Sequence, residues 1–200
     1  KKGQAPGNHA RPTLVKAGNS ASFRDFRSVR PVNEQAIKEA YEKSALAKEP
    51  NTFALYRIIG NDLNPRHKKG QSYDNLRFIL ENESPLPDCT KFWVVNRIFD
   101  PDPERDIIDL LKQHHQEFVH IPFVAEDYRK IGLDYDCFPD RRFLESDEYR
   151  ALTPKFRGQA QAALYRLKNL YVMNNNGARN IALNDGRRHA KWVLPWDGNC

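Results

Sequence analysis

Residues 178–200, ARNIALNDGRRHAKWVLPWDGNC, decide the fold, because a helix pattern leads here into an apolar strand. Residues 178–187 have the composition of a short helix that ends near Gly186, with basic residues where they suit the helix dipole. Residues 191–196, KWVLPW, form a continuous apolar run that is typical of a strand buried on both faces. We therefore expect a helix followed by a core strand.

Oxygen-bearing side chains follow the predicted strand directly. Asp197 and Asn199 stand on either side of Gly198, which lets the backbone bend. Carboxylate and amide oxygens are the ligands of hard divalent cations such as Mg²⁺, which keep phosphate oxygens in their shell. The pattern favours Asp197 and Asn199 as metal ligands. On composition alone, Asp-Gly-Asn after a strand is more often only a turn.

The start of the predicted helix suits an anion. Residues 174–177, NNNG, have the composition of a turn. A helix that begins after this turn presents the backbone amides of Ala178 and Arg179 at its positive end. With the Arg179 guanidinium beside them, these amides predict a phosphate-binding seat.

The charge of the chain is concentrated at one end. The 200 residues carry a net charge of +6, and residues 1–30, with seven basic residues and one acidic residue, account for all of it. We expect residues 1–30 to be a flexible basic leader, with contact to nucleic acid or anionic lipid as the alternative. The leader lacks the interleaved aromatics of single-strand binders, so no specific nucleic-acid partner is expected.

Length and composition limit the architecture. A hydrophobic content of 40% suffices for one sizeable core, and no run approaches the roughly 20 apolar residues of a membrane span. Because the chain begins with Lys1 and stops just after a strand, we expect a fragment truncated at the C-terminus. Membrane association through segments outside it stays possible, and the compartment, cytoplasmic or secretory, stays open.

The cysteines predict no metal site. Cys89, Cys137 and Cys200 have no metal-ligand spacing. Cys89 and Cys137 either pair in an oxidising compartment or remain free thiols.

Strands and helices alternate through the middle of the chain. We expect residues 31–50 to form a helical stalk or packing helix, with the helix itself over 31–47. We expect residues 51–200 to form the main domain. Residues 124–153 form an insertion of short helices and loops, and a helix with an apolar stripe follows over 156–171. The predicted strands are 52–59, 91–99 and 117–123, and the predicted helices between them are 72–82, with Ser72 as N-cap, and 104–115, beginning near Pro103.

This order predicts an α/β fold with a Rossmann-like, mostly parallel sheet and flanking helices. In such sheets ligands bind beyond the carboxyl ends of the strands. The residues at these ends are Gly60, Asn61 and Asp62, then Asp100 and Asp102, then Asp197 and Asn199. The chain has neither GxGxxG nor GxxxxGK[ST], which argues against the usual dinucleotide and P-loop sites.

Residues 53–200 resemble the nucleotide-sugar-binding half of GT-A glycosyltransferases. The resemblance rests on the β-α units, on a helix that begins Gly177-Ala178-Arg179-Asn180, and on an apolar strand that ends Asp197-Gly198-Asn199 where the family has Asp-x-Asp. It implies a transferase that moves a sugar from a nucleoside diphosphate sugar to a glycan or other hydroxyl acceptor, with Mn²⁺ or Mg²⁺ as cofactor.

The resemblance also implies roles for individual residues. The donor nucleotide would contact Gly60, Asn61, Asp62, Asp100, Arg179, Asn180 and Asp197, and the metal would bind Asp197 and Asn199. Asn199 departs from the family pattern, because an amide replaces the metal-binding carboxylate. The catalytic base is expected beyond Cys200, so the fragment alone is expected to be inactive.

Two alternatives stay open. The first is a catalytically inactive sugar-binding or scaffold domain of a larger polysaccharide-acting protein, which the amide at Asn199 favours. The second is another nucleotide-using transferase, such as a nucleotidyltransferase, although that class usually carries a Gly-rich loop near its first strand.

Overall fold

The chain divides into two compact units, residues 1–47 and 48–200. A computed structural model describes residues 33–63, 67–138 and 140–197. The predicted leader, residues 1–30, lies outside these ranges. In the first unit, helix α1 spans Glu34–Lys43, and the side chain of Asn33 caps it by accepting the Ala36 amide at 3.0 Å. No residue of α1 is buried, and a 3-10 helix, Ala45–Lys48, follows.

The second unit is built on a four-stranded sheet, and the predicted Rossmann-like α/β architecture is confirmed. All strands are parallel, in the order β3-β2-β1-β4. The strands are β1 (Phe53–Ile59), β2 (Cys89–Asn96), β3 (Phe118–Ile121) and β4 (Trp192–Asp197).

Helices connect and cover these strands. The longer ones are α2 (Gln71–Asn82), α3 (Pro101–Gln113), α6 (Pro154–Leu164), α7 (Arg166–Met173) and α8 (Asn175–Gly186). The predicted insertion contains α4 (Ala125–Lys130), α5 (Asp147–Ala151) and two 3-10 helices, Tyr135–Cys137 and Arg141–Glu145. In the part of the chain that is described, no helix is both long and apolar enough to cross a membrane.

The sheet is covered on both faces, as parallel sheets require. Helices α2 and α3 pack on one face around Trp93, Val95 and Leu111. Helix α8 packs on the other face against Tyr56 and Val94 through its alanines. The helix approaches closely at Gly186, where a Cβ atom would lie 2.6 Å from Val193 Cγ1, so only glycine fits.

Strand β4 corrects the prediction of a strand buried on both faces. Among the described strands it has β1 as its only neighbour, and Trp192 and Trp196 are 38% and 44% exposed. The reason is visible in the sequence, since Pro195 has no N–H to donate to a second neighbour and proline in sheets is confined to edges. An apolar run was therefore insufficient evidence for a central strand.

Several predicted boundaries are also wrong. Helix α1, predicted over 31–47, ends at Lys43, because Ser44 adopts an extended backbone. Strand β2 ends at Asn96 rather than residue 99, because Arg97 adopts a left-handed backbone with φ 45°. Helix α3 begins at Pro101 rather than near Pro103, and Asp100 caps it. The helix predicted over 156–171 is two helices, α6 and α7, separated at Tyr165, where the backbone leaves helical geometry with ψ 8°.

Both described cysteines, Cys89 and Cys137, are free thiols. Cys89 opens β2, and Cys137 ends a 3-10 helix of the insertion. Cys200 lies outside the described residues.

Candidate functional site

Two adjoining cavities lie at the carboxyl ends of β1, β2 and β4. The larger, of about 470 Å³, lies between the ends of β1 and β2 and the starts of α2 and α3. The smaller, of about 190 Å³, lies where β4 joins β1 and is lined by Asn96, Asn175 and Asp197 among others. Gly60 and Asn61 line both cavities. We refer to them below as the large and the small cavity.

The small cavity lies at the topological switch point of the sheet. Strands β1, β2 and β3 follow one another in one direction, and β4 then lies on the opposite side of β1. Open parallel sheets bind ligands in the crevice that such a reversal creates. The sheet topology therefore brings Gly60 and Asp197 to the position where a ligand is expected.

Asp62 lines the large cavity and holds the start of α2. Its Oδ2 accepts the Gly70 amide at 2.6 Å, and its Oδ1 accepts the amide and the hydroxyl of Ser72 at 2.9 and 2.7 Å. The N-cap position belongs to Gly70, with φ 83°, and not to Ser72 as predicted. The carboxylate replaces a local cap because it satisfies several amides of the helix start at once.

Asp100 likewise holds the start of α3. Its Oδ1 accepts the Asp102 amide at 3.2 Å as the helix cap, while its Oδ2 has no hydrogen-bond partner among the described residues. Asp100 lines the large cavity together with the exposed ring of Phe99. The cavity thus offers a carboxylate oxygen that can accept a hydrogen bond and an apolar ring face for a planar group.

Asn61 ties the end of β1 to the loop after β2. Its Nδ2 donates to the carbonyl of Arg97 at 2.7 Å, and its Oδ1 accepts the Phe99 amide at 2.9 Å. These bonds hold the left-handed turn at Arg97. The role of Asn61 in the fold is therefore to shape the wall between the two cavities.

Asn96 was not predicted as a residue of the candidate site. Its side chain is buried, donates from Nδ2 to the carbonyl of Met173 at 2.9 Å, and accepts from Asn174 Nδ2 at 2.9 Å. A polar residue at the end of an apolar strand was the available signal. It was overlooked because the strand was predicted to continue to residue 99.

Arg97 and Tyr171 were also missed. The Arg97 guanidinium lies 3.9 Å from the centre of the Tyr171 ring and donates from Nη1 to the Tyr171 carbonyl at 2.8 Å. The same ring contacts Phe123 and Tyr128, with centroid distances of 5.8 and 6.1 Å. This cluster fastens α7 to the carboxyl ends of β2 and β3.

Helix α8 begins one turn earlier than predicted. Asn174, with φ 42°, separates α7 from α8, and the Ala178 amide already donates to the Asn174 carbonyl at 2.9 Å. The predicted phosphate seat at the amides of Ala178 and Arg179 is therefore wrong. The first-turn amides, which helices leave without intrahelical acceptors, belong to Asn175, Asn176 and Gly177.

These residues line a third cavity of about 400 Å³ together with Leu170, Met173, Asn174 and Arg179. A Cβ atom at Gly177 would lie 2.1 Å from Asn174 Oδ1, so a larger residue there would force the Asn174 side chain to move. The predicted nucleotide contact Asn180 is exposed and lines none of the three cavities.

Arg179 and Asp197 lie together. The Arg179 guanidinium donates to Asp197 Oδ1 at 2.9 Å, and both side chains are partly exposed. Asp197, one of the two predicted polar residues after the strand, thus forms an ion pair that joins α8 to β4. Asn199, the other, lies outside the described residues.

Of the two predicted metal ligands, Asp197 belongs to the described residues. Within them, no group of three His, Cys, Asp or Glu side chains could hold a metal ion. Asp197 offers a single carboxylate, and one of its oxygens already binds Arg179. This donor set fits only a cation that takes most of its ligands from a bound phosphate and water, as Mg²⁺ does.

A second polar cluster anchors the far end of α8. Tyr56 donates its hydroxyl to Asp185 Oδ2 at 2.6 Å. Burial, followed by this bond to the carboxylate, raises the pKa of Tyr56 well above its usual range. The same hydrogen bond outweighs burial and lowers the pKa of Asp185. Together with Asn174, this bond fixes both ends of the helix that carries Arg179.

Comparison of the chain with protein-family models, with curated proteins and with solved structures found no match.

Proposed function

We propose that this chain is the nucleotide-sugar-binding part of a GT-A-type glycosyltransferase, which moves a sugar from a nucleoside diphosphate sugar to a hydroxyl acceptor such as a glycan. The observation that carries the proposal is the Arg179–Asp197 pair, which lies at the switch point of a parallel sheet, beside the first turn of α8. A guanidinium beside the first turn of a helix suits a diphosphate, and the carboxylate can hold a cation that binds the phosphate oxygens.

The nucleoside would bind in the large cavity. Its volume of about 470 Å³ falls within the range of about 300–1,000 Å³ that is typical of small-molecule sites. Asp100 Oδ2 can accept a hydrogen bond from a ribose hydroxyl or a base N–H, and Phe99 can stack on the base. Asp62 contributes by fixing α2, since both of its oxygens hold the start of that helix.

The diphosphate would extend from the small cavity towards α8. Arg179 would leave Asp197 and bind phosphate oxygens, helped by the amides of residues 175–177. A divalent cation, Mg²⁺ or Mn²⁺, held by Asp197 and by Asn199 would neutralise charge on the departing diphosphate. The chain's own contribution is to position the diphosphate and to stabilise its negative charge.

A second candidate is a catalytically inactive domain that binds a nucleotide or a sugar. The same ion pair favours it, since Asp197 is already neutralised by Arg179 without a metal. The two candidates differ in the effect of metal on nucleotide binding.

The test is calorimetric titration of the chain with UDP and with GDP, each with and without Mn²⁺. Arg179→Gln should weaken binding about tenfold or more, because a charge-assisted bond to phosphate is lost. Arg187→Gln, an exposed arginine at the other end of α8, is the matched control and should change little.

Asp197→Ala separates the two candidates. Without metal it should strengthen nucleotide binding, because Arg179 is released and a negative charge is removed. With Mn²⁺ it should weaken binding if Asp197 holds the cation. Equal effects with and without Mn²⁺ would favour the inactive domain. A folded chain that binds neither nucleotide would refute the transferase proposal and leave the inactive sugar-binding or scaffold domain.

A further inference from the structure

Helices α6 and α7 expose large apolar side chains to solvent. Phe156 in the first turn of α6 is 53% exposed, and Leu167 and Leu170 in α7 are 39% and 52% exposed. Leu167 and Leu170 are three residues apart, so they lie on one face of α7. No described residue covers these three side chains enough to bury them.

The two helices are anchored to the domain through other side chains. Leu164 is buried, Arg166 donates from Nε to Asp134 Oδ2 at 2.7 Å, and Lys168 donates from Nζ to the Tyr128 carbonyl at 2.7 Å. These contacts fix the inner side of the helices. The exposed apolar side chains therefore lie on helices that are held in place by contacts with the rest of the domain.

The same stretch is positively charged. Residues 154–184 contain five basic residues, Lys155, Arg157, Arg166, Lys168 and Arg179, and no Asp or Glu. Lys155 and Arg157 flank Phe156, are exposed, and make no ion pair with any residue that the structure describes. An exposed aromatic ring between two cations is complementary to an anionic, partly apolar partner.

We propose that Lys155, Phe156, Arg157, Leu167 and Leu170, here called the α6–α7 face, dock the protein on the surface of an anionic lipid bilayer. Basic amphipathic helices lie in the interface, with apolar side chains among the acyl chains and basic side chains at the headgroups. Charge complementarity selects this partner, because Lys155 and Arg157 are exposed cations with no ion pair among the described residues and can meet anionic headgroups.

The α6–α7 face continues towards the candidate site. Leu170 belongs to this face and also lines the third cavity, together with the first turn of α8 and Arg179. A protein docked through this face would hold that cavity near the lipid surface. The proposal goes beyond the proposed function and does not depend on it, because docking needs no nucleotide.

The test is co-sedimentation of the full 200-residue chain, without nucleotide, with vesicles of phosphatidylcholine alone or mixed with phosphatidylglycerol. Binding is expected to the mixed vesicles and to weaken with salt. Lys155→Glu/Arg157→Glu should weaken it about tenfold or more, since each surface charge contributes about fivefold. Leu167→Gln/Leu170→Gln should weaken it as well, and circular dichroism verifies that both variants fold.

Matched controls change equally exposed side chains elsewhere. Phe78→Gln removes an exposed ring of α2, and Arg105→Glu/Lys112→Glu reverses two exposed charges of α3. Both should bind vesicles almost as the wild type does. Equal losses in the controls would overturn the proposal, because vesicle binding would then not depend on the α6–α7 face.

Other results would also overturn it. Vesicle binding that survives both α6–α7 variants would assign the attraction to residues elsewhere, such as the basic residues of 1–30. Absence of vesicle binding would refute docking directly. A dimer in gel filtration that Leu167→Gln/Leu170→Gln converts into a monomer would identify the face as an interface between copies of the chain.

Discussion

The side chain of Asn174 donates a hydrogen bond of 2.9 Å to the side chain of Asn96, and this bond joins the break between α7 and α8 to the end of β2. Asn96 also donates to the Met173 carbonyl at 2.9 Å. The buried side-chain amide of Asn96 thus binds the backbone of Met173, at the end of α7, and the side chain of Asn174, at the break itself. The position of the first turn of α8 depends on this pair.

Asn96→Ala should therefore destabilise the fold. It leaves the backbone carbonyl of Met173 and the side-chain amide of Asn174 without their partner. The free energy of unfolding should therefore fall by about 2–3 kcal/mol. Urea denaturation followed by circular dichroism measures the change. Asn180→Ala, an exposed asparagine of α8, is the control and should change stability by about 0.5 kcal/mol or less. Equal losses in the two variants would show that Asn96 does not hold the break.

Gly177→Ala should be destabilising only while Asn174 keeps its side chain. The new Cβ would lie 2.1 Å from Asn174 Oδ1, so Asn174 must move and lose its bond to Asn96. We expect a loss of about 1–3 kcal/mol in the free energy of unfolding.

A double-mutant cycle isolates this contact. Asn174→Gly keeps the left-handed backbone at φ 42° accessible and removes the side chain. In that background Gly177→Ala should become stabilising by up to about 1 kcal/mol, since alanine is the better helix former. Denaturation of the four proteins gives the interaction energy, and simple additivity of the two changes would contradict the predicted contact.

The strands were predictable because their apolar runs end in turn residues. Strand β1, Phe53–Ile59, was predicted to within one residue, since local pattern decides it. The end of β2 was not, because the left-handed turn at Arg97 depends on Asn61, which is remote in sequence. Likewise, the start of α8 depends on the bond from Asn174 to Asn96, so residues 175–177 were interpreted as a turn.

The candidate site was partly predictable for a related reason. Parallel strands end at one edge of the sheet, so the residues after β1, β2 and β4 meet there whatever their side-chain contacts. Their individual contacts were not predictable. Asp62 and Asp100 hold the starts of the helices that follow them, and Arg179 pairs with Asp197, a bond that joins two separate elements, α8 and β4.

Glu83→Gln should weaken the packing around the buried Arg57 of β1. Arg57 is buried and binds Glu83, while Lys91 lies 2.7 Å from Glu83 Oε2. Burial works against the charge of Glu83, but the bonds from Lys91 and Arg57 outweigh it and lower its pKa. Removing the charge should cost about 2–3 kcal/mol of unfolding free energy.

Urea denaturation measures the cost of this change as well. Glu81→Gln, an exposed glutamate of α2, is the matched control, with an expected change of about 0.5 kcal/mol or less. The effect of Glu83→Gln should persist at high salt, because a buried pair is screened little. A loss that disappears at high salt would mean that the pair is effectively solvent-exposed.

Tyr56→Phe should change how stability depends on pH. Tyr56 donates to Asp185 Oδ2 at 2.6 Å, and at neutral pH the loss of this bond should lower the free energy of unfolding by about 1–2 kcal/mol. The pKa of Tyr56 is raised by burial and by Asp185, so its contribution is present below the unfolded pKa of about 10 and is lost as pH rises above it.

Below neutral pH, the dependence of stability on pH follows from Asp185. The hydrogen bond from Tyr56 outweighs burial and lowers the pKa of Asp185, so this contribution is present above the unfolded value of about 3.9 and is lost as pH falls below it. The stability difference between wild type and Tyr56→Phe should thus be largest near neutral pH and shrink towards both extremes. Denaturation series from about pH 3 to pH 11 measure it. Tyr165→Phe, at an exposed tyrosine, is the control, and a difference for Tyr56→Phe that stays constant across this range would contradict the linkage.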